Sequence, residues 1–331
     1  MRIFYFSLIW GYLCLLTFHS ATAADFTIAV RAHSGLSAAK EKWQPTIDYL
    51  SQAIPEHRFH LRPIINLDEI SQAATKKEFD FVLTNPSSFI EIKRLTLAKT
   101  LVTLNNKREN TAQTRFGSVI FVRADREDIL SLQDLKGKSI EVVSKLAFGG
   151  WRVAWGELLD NGIDPFTDLS EVIYSDNNIQ QDVLFDVLNG KADAGVVRTD
   201  MIERMAKDKK INLRYFRILN GKHTIGFPFF HSTALYPEWP IVVLPHVPEE
   251  ISAMLKTKLM SIPNNSKAAI TGKYIGWVDS LDYTPVEKLL HKLEQKPIKK
   301  NSININYIAG SLTFAIIFLV VLIARKRRKT L

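Results

Sequence analysis

Two separated stretches of this chain follow one plan, and that duplication constrains the fold more than any other feature. "ATKKEFDFVLTNPSSFIE" runs from Ala74 to Glu91 and "LNGKADAGVVRTDMIE" from Leu188 to Glu203. Each passes through a polar turn, an Asp (Asp80 or Asp193), a short apolar run, a polar loop and a new helical pattern. A short apolar run closed off by turns reads as a strand buried on both faces, the kind found in parallel sheets. Strand, loop and helix in that order belong to α/β architecture. Two copies predict two similar lobes, each aiming a loop at a ligand held between them.

The flanking sequence repeats the alternation. "DFTIAV" (25–30) is a strand, "RAHSGLSAA" a polar loop, and "KWQPTIDYLSQAI" (42–54) a helix through Trp43, Ile47, Leu50 and Ile54. "RFHLRPII" (58–65) alternates as a strand, "NLDEISQAATKKEF" is a helix capped by Asn66 or Asp68, and "DFVLT" (80–84) is the next strand before the helix "NPSSFIEIKR". In the second half, strands are expected at "GSVIFVRAD", "KSIEVV", "LSEVIYSD" and "ADAGVV". Helices are expected at "RVAWGELLDNGI", "NIQQDVLFDVLNG" and "RTDMIERMAK". "NLRYFRIL" (212–219) reads as the strand returning to the first lobe, with "GFPFFHSTALYPEWPIVVLP" (226–245) rejoining its sheet. "PEEISAMLKTKLMSI" and "PVEKLLHKLEQ" are helices that pack on that first lobe. The order calls for mostly parallel sheets with crossover helices.

The ends fix the compartment. Residues 1–24 carry Arg2, an apolar run to Phe18 and a small-x-small close at Ala21-Thr22-Ala23. That is the pattern of a secretory signal peptide, an uncleaved anchor being the other reading. The only cysteine, Cys14, lies inside this segment, so the mature chain has no disulfide, thiol nucleophile or cysteine metal site. Residues 305–324, "INYIAGSLTFAIIFLVVLIA", hold no charge. As a helix rising about 1.5 Å per residue they span a hydrocarbon layer of about 30 Å. The basic tail "RKRRKTL" (325–331) puts that side in the cytoplasm. A periplasmic body tethered to the inner membrane through a polar linker (293–304) is expected, with no kinase or cyclase domain in the tail. The formal charge of +9 sits mostly at the ends: without the tail and Arg2, 37 basic residues face 34 acidic ones. That balance gives no case for nucleic acid and fits a small anionic solute.

In parallel sheets, ligands bind beyond the carboxyl ends of the strands, where unpaired N–H groups at helix starts favour anions. Four segments qualify, "RAHSG", "TNPSS", "SKLAFGGW" and "RTD". They supply the ligand-binding candidates. Arg31, His33 and Ser34 follow the first strand. Asn85, Ser87 and Ser88 stand where a helix should start, with Pro86 suited to its first turn; simple N-capping is the alternative. Phe148, Gly149, Gly150 and Trp151 form a loop where glycine admits close backbone approach, the aromatics walling a pocket or filling core. Arg198 and Thr199 end a strand, where an arginine can grip an oxyanion with two donors. Asn177 and its neighbour Asn178 approach from another loop. Asp80 and Asp193 are expected to fix the turn into each strand through local backbone hydrogen bonds.

No catalytic residue, metal site or cofactor is expected. The eight histidines are scattered, without metalloprotease spacing, a phosphate-cradling GxxxxGK[ST] or a nucleophile elbow. A hydrolase assembled only in three dimensions is the residual enzymatic reading.

"FDFVLTNPSSF", "LQDLKGKSIEVVSKLAFGGWRVAWGELLDNGIDP", "VLNGKADAGVVRTDMIERM" and "FPFFHSTALYPEWPIVVLPHVPEEI" together resemble the phosphate/phosphonate-type (PhnD-like) periplasmic solute-binding family. Their wording is nearest to the sensor heads of tetrathionate-type histidine kinases. The resemblance implies a two-lobed type II periplasmic-binding-protein fold, α/β with a hinge and without catalysis. Lobe 1 would hold residues 25–116 and 220–292, and lobe 2 residues 117–219, with crossings at "TRFGSVIF" and "YFRILNG". It implies capture of a phosphonate, phosphate or sulfur oxyanion, with a transporter permease or a sensor kinase as partner. The family wording favours sensing; the missing output domain favours uptake.

Overall fold

The computed structural model of the protein describes residues 24–295. The expected leader, membrane span, basic tail and most of the linker lie outside the described residues. Among the described residues no helix is long and apolar enough to cross a membrane.

The chain opens with β1 (Ala24–Arg31), α1 (Leu36–Ala53), β2 (His57–Ile64), α2 (Leu67–Thr75), β3 (Phe81–Leu83) and α3 (Pro86–Thr96). β4 (Lys99–Arg108), β5 (Thr111–Gln113), β6 (Arg115–Phe116), β7 (Ser118–Arg123) and β8 (Ser139–Val142) follow, and a π-helical turn, Phe148–Arg152, leads into α4 (Val153–Asp160). Next come β9 (Glu171–Tyr174), α5 (Gln180–Leu188), β10 (Ala194–Arg198), α6 (Met201–Lys207) and β11 (Phe216–Leu219). The last elements are β12 (Tyr236–Pro237), β13 (Pro240–Val243), α7 (Glu249–Met260), α8 (Lys267–Gly272), β14 (Tyr274–Asp279) and α9 (Thr284–Glu294). Two compact units result. The first contains the chain to Thr114 and Pro237–Asp282; the second contains Arg115–Tyr236 and the chain from Tyr283.

The first unit is built on the sheet β14-β4-β13-β3-β1-β2, with β5 paired to β4. The expectation of mostly parallel sheets is corrected: in this sheet only β2, β1 and β3 are parallel, and β13 runs antiparallel between β3 and β4. Parallel neighbours need a crossover, and β13 instead enters directly from the other unit. The helical spacing of Trp43, Ile47, Leu50 and Ile54 does its expected work, because all four are buried against Phe26, Ile28 and Val30 of β1. Trp43 stacks on Tyr274 at 6.1 Å. α1 starts six residues earlier than its apolar pattern suggested, so the preceding loop is shorter and Pro45 lies inside the helix. Leu36, Ser37 and Ala38 are exposed, and an exposed first turn leaves no apolar periodicity to read.

The second unit holds the sheet β11-β7-β10-β8-β9. β9, β8 and β10 are parallel, while β7 and β11 are antiparallel. Val119, Phe121 and Val197 from the sheet pack with Val183, Leu184 and Val187 of α5.

Two expectations are corrected here. β11 does not return to the first unit; it pairs antiparallel with β7, and residues 220–236 stay with the second unit. Ser232 explains why. Its N–H donates to Ser118 O (2.8 Å) and its hydroxyl to Leu219 O (2.7 Å), stitching the segment to the start of β7 and the end of β11. The last helix also belongs to the second unit. Leu289 of α9 occupies the space that a side chain at Gly156 of α4 would need, and Lys292 Nζ reaches Asp160 Oδ1 at 2.5 Å. An amphipathic pattern announces a buried face without saying which sheet receives it.

Candidate ligand-binding loops

In the first unit β1 and β3 are parallel neighbours, with Val30 opposite Leu83. Arg31, the last residue of β1, and Thr84, the first residue after β3, therefore stand side by side at the carboxyl edge of the sheet. The "TNPSS" segment follows as the start of α3. Asn85 caps this helix: its Oδ1 accepts the Ser88 N–H at 2.9 Å and the Ser87 hydroxyl at 2.8 Å. Asn85 and Ser87 are thus committed to one another and to the helix start, and Pro86 fills the first turn.

Three other polar atoms at this edge have no hydrogen-bond partner among the described residues. They are Arg31 Nη1, Thr84 Oγ1 and Ser88 Oγ, all shielded from solvent. Thr84 is fully buried and Ser88 is 1% exposed. Burial pulls the pKa of the Arg31 guanidinium down from its ordinary value. His33 and Ser34 are exposed, and the His33 ring meets Trp239 edge-on at 5.6 Å.

In the second unit β8, β9 and β10 are parallel neighbours, so the loops after them gather at one edge. Phe148, Gly149, Gly150 and Trp151 are all buried. Gly149 lies so close to the Phe116 ring that a Cβ would sit 2.7 Å from it, and its carbonyl accepts the Ser118 hydroxyl at 2.7 Å. Phe148 packs edge-on between Phe116 and Tyr236. Trp151 stacks on Trp155 at 5.9 Å, both against Phe166. These aromatics fill core. Both indole N–H groups are nevertheless buried without an acceptor among the described residues.

Arg198 lays its guanidinium over the Phe116 ring, 4.1 Å from the centroid, a cation–π contact. Its Nε is 3.7 Å from Asp200 Oδ1, and its backbone N–H donates to Gln180 Oε1 at 2.7 Å. Thr199 is turned inward: its N–H donates to Gly117 O at 3.1 Å, and its hydroxyl accepts the Gly117 N–H at 3.3 Å. Asn177 donates to Asp182 Oδ2 at 3.1 Å, and Asn178 takes a left-handed backbone, φ 54°.

Sequence reasoning passed over Thr84, Ser175 and Gln180. Ser175 follows β9 and buries a hydroxyl without a partner. The signal was positional: Thr84 and Ser175 are the first polar residues after parallel strands, where carboxyl-edge groups face ligands. Among the described residues no three His, Cys, Asp or Glu side chains converge to hold a metal. The chemistry on offer is hydrogen-bond donation and positive charge.

Comparison with known proteins places this architecture. A tetrathionate sensor histidine kinase from Salmonella typhimurium is 29% identical over 97% of this chain, which spans 54% of that relative's length. Among solved structures, a Xanthomonas citri protein bound to ATP superposes with a TM-score of 0.64 at 19% identity, covering 81% of this chain and 94% of that one. PhnD1 from Prochlorococcus marinus in complex with methylphosphonate gives a TM-score of 0.63 at 15% identity, with 82% and 99% covered. At such identities these two speak to the fold, which is the two-lobed α/β fold of periplasmic binding proteins. The model of the family described as "ABC transporter, phosphonate, periplasmic substrate-binding protein" matches residues 29–283, and with most of the chain inside that match the protein belongs to this family.

Proposed function

We propose that the chain is a membrane-tethered periplasmic binding protein that captures a small anionic solute with its carboxyl-edge loops and serves uptake by an ABC-type transporter. One observation carries the anion: Arg31 Nη1, Thr84 Oγ1 and Ser88 Oγ are shielded and unpartnered beside the N-terminus of α3. Leaving buried donors unsatisfied is costly. An oxyanion accepts from all three and also gains from the helix start. Phosphonate, phosphate and sulfur oxyanions share that chemistry. Export by residues 1–24 and anchoring by residues 305–324 supply the location.

A second reading has its own support. Identity to a sensor kinase extends over 97% of this chain, which favours a ligand-sensing component that acts through a separate membrane partner. Neighbouring genes separate the two: a permease and ATPase pair accompanies uptake, a kinase and response regulator accompany sensing.

The test is a thermal-shift titration of the detergent-solubilised full chain with methylphosphonate, phosphate and tetrathionate. A ligand at a hundred times its Kd, bound only to the folded state, adds about 2.7 kcal/mol. The expected result is a shift with at least one anion, lost in Arg31→Ala. A folded chain that none of the three stabilises speaks against anion capture.

A further inference from the structure

The segment 220–232 carries a turn held rigidly from beneath. Phe227 N–H donates to Thr224 O at 3.0 Å. His231, 2% exposed, places Nε2 at 2.9 Å from Thr224 Oγ1. Its ring meets Phe227 edge-on at 5.2 Å, and Phe227 meets Phe229 at 5.7 Å. Gly226, at φ 79°, lets the chain double back. On this base Ile225 stands 95% exposed, with Phe230 at 42%. Its exposed neighbours His223, Thr224, Gly226 and Pro228 bear no carboxylate; the carboxylate of Glu203 on α6 meets the segment further along, accepting the Phe230 N–H at 2.6 Å. A buried scaffold that presents an isoleucine to solvent serves contact rather than folding, since apolar surface gains by leaving water.

The root of this turn shares α4 with the helix by which the chain leaves the described body. Asn220 Nδ2 and Lys222 Nζ both donate to Glu157 Oε1, at 2.8 and 2.7 Å. One residue away on α4, Leu289 of α9 fills the space at Gly156. One turn further on, Lys292 of α9 grips Asp160. From Gln295 to Ile305, where the uncharged stretch begins, the linker reaches at most about 35 Å fully extended.

We propose that the turn Thr224–Phe227 is a membrane-contact element, with Ile225 entering the interfacial layer of the bilayer that residues 305–324 anchor. The proposal rests on that anchoring. An exposed apolar tip on a polar body partitions into the interface between headgroups and acyl chains, and α9 keeps that layer within reach of the second unit.

The full chain, with Cys14→Ser and either Ile225→Cys or Ile270→Cys, is coupled to an environment-sensitive fluorophore and reconstituted into phosphatidylcholine–phosphatidylglycerol vesicles. Ile270, 65% exposed on α8 of the first unit, is the control. Flotation with the vesicles reports anchoring, and the fluorophore reports the turn. The expected result is co-flotation, with emission at position 225 shifted to the blue and quenched several-fold more by nitroxide lipids than at position 270. Co-flotation with both positions equally open to aqueous iodide overturns the membrane contact and leaves the anchor standing. A label at 225 shielded from both quenchers marks a protein contact and also overturns it. Failure to float removes anchor and contact together.

Discussion

Asp80 and Asp193 occupy matching posts in the two units. Asp80 Oδ2 accepts the Thr27 N–H of β1 at 2.6 Å, and Asp193 Oδ2 accepts the Ser139 N–H of β8 at 2.8 Å. Each stands immediately before a strand, β3 or β10, that pairs in parallel with the strand it reaches. Each also meets a basic side chain, His246 Nε2 at 2.9 Å from Asp80 and Arg126 Nη1 at 2.6 Å from Asp193. Backbone hydrogen bonding was the expected use of both carboxylates. The partner, however, is the neighbouring strand rather than the local turn, so the duplicated sequence pattern encodes strand register.

Asp193→Ala should cost about 1–3 kcal/mol at neutral pH, because the Ser139 N–H loses its acceptor. Burial acts to raise the Asp193 pKa, but Ser139 and the Arg126 guanidinium outweigh it and hold the group below its ordinary value. A carboxylate depressed on folding contributes stability at neutral pH that fades as pH falls through its folded pKa. Urea unfolding at pH 7 and pH 3 should therefore show the gap between wild type and variant narrowing in acid. A gap that stays constant removes the electrostatic part of this account.

Glu141 should show the opposite slope. It is 2% exposed in β8. Burial first, and repulsion from Asp186 second, push its pKa up to about 7, with Lys191 pulling the other way. The folded chain then keeps a proton that the unfolded chain has released, so stability declines as pH rises from the ordinary carboxylate value, 4.5, to about 7. Glu141→Gln should flatten this decline, unfolding at higher denaturant than wild type at pH 8 and close to it at pH 4. Parallel profiles for the two proteins would show that Glu141 is ionised throughout.

Neighbouring side chains at the start of α3 should separate stability from binding. Asn85→Ala removes a cap and should cost about 0.5–2 kcal/mol. Ser88→Ala should leave the ligand-free chain unchanged or slightly more stable, because its buried hydroxyl has no partner to lose. The same substitution should weaken anion binding. Calorimetric melting with and without ligand checks both halves, and a destabilised ligand-free Ser88→Ala would mean the hydroxyl already serves the fold.

What the sequence made legible followed from local chemistry. The apolar spacing of Trp43, Ile47, Leu50 and Ile54 announced one buried face, and Pro86 with Asn85 announced a helix start. What stayed hidden depended on partners distant in sequence. Ser232 holds residues 220–236 to the second unit through Ser118 and Leu219, and no pattern within that segment signals such a bond. Gly156 receives Leu289 across more than a hundred residues, so the home of α9 was unreadable from its own heptad-like spacing. Among the candidates, Asn85 and Ser87 read equally well as caps or as ligand-binding groups because capping and ligation use the same side chains, and the structure shows the capping. The unpartnered hydroxyls of Thr84 and Ser88 emerge only when every neighbouring donor and acceptor is placed.

The glycines of the "AFGGW" loop make the last prediction. A Cβ at Gly150 would lie 2.5 Å from Val143 Cγ2 and 2.8 Å from its Cβ. Val143 is β-branched and stiff at χ1, and its N–H donates to Gly150 O at 3.2 Å, so neither partner yields easily. Gly150→Ala should cost about 1–3 kcal/mol through overpacking and reduce anion affinity by shifting the loop. Gly137 is the contrast. It has open space around a would-be Cβ but a φ of 75°, so Gly137→Ala should cost about 1–2 kcal/mol through backbone strain alone and leave affinity untouched. A double-mutant cycle distinguishes the causes: Val143→Ala should relieve much of the Gly150→Ala penalty and none of the Gly137→Ala penalty. Strict additivity at Gly150 would place its cost in the backbone instead of the packing against Val143.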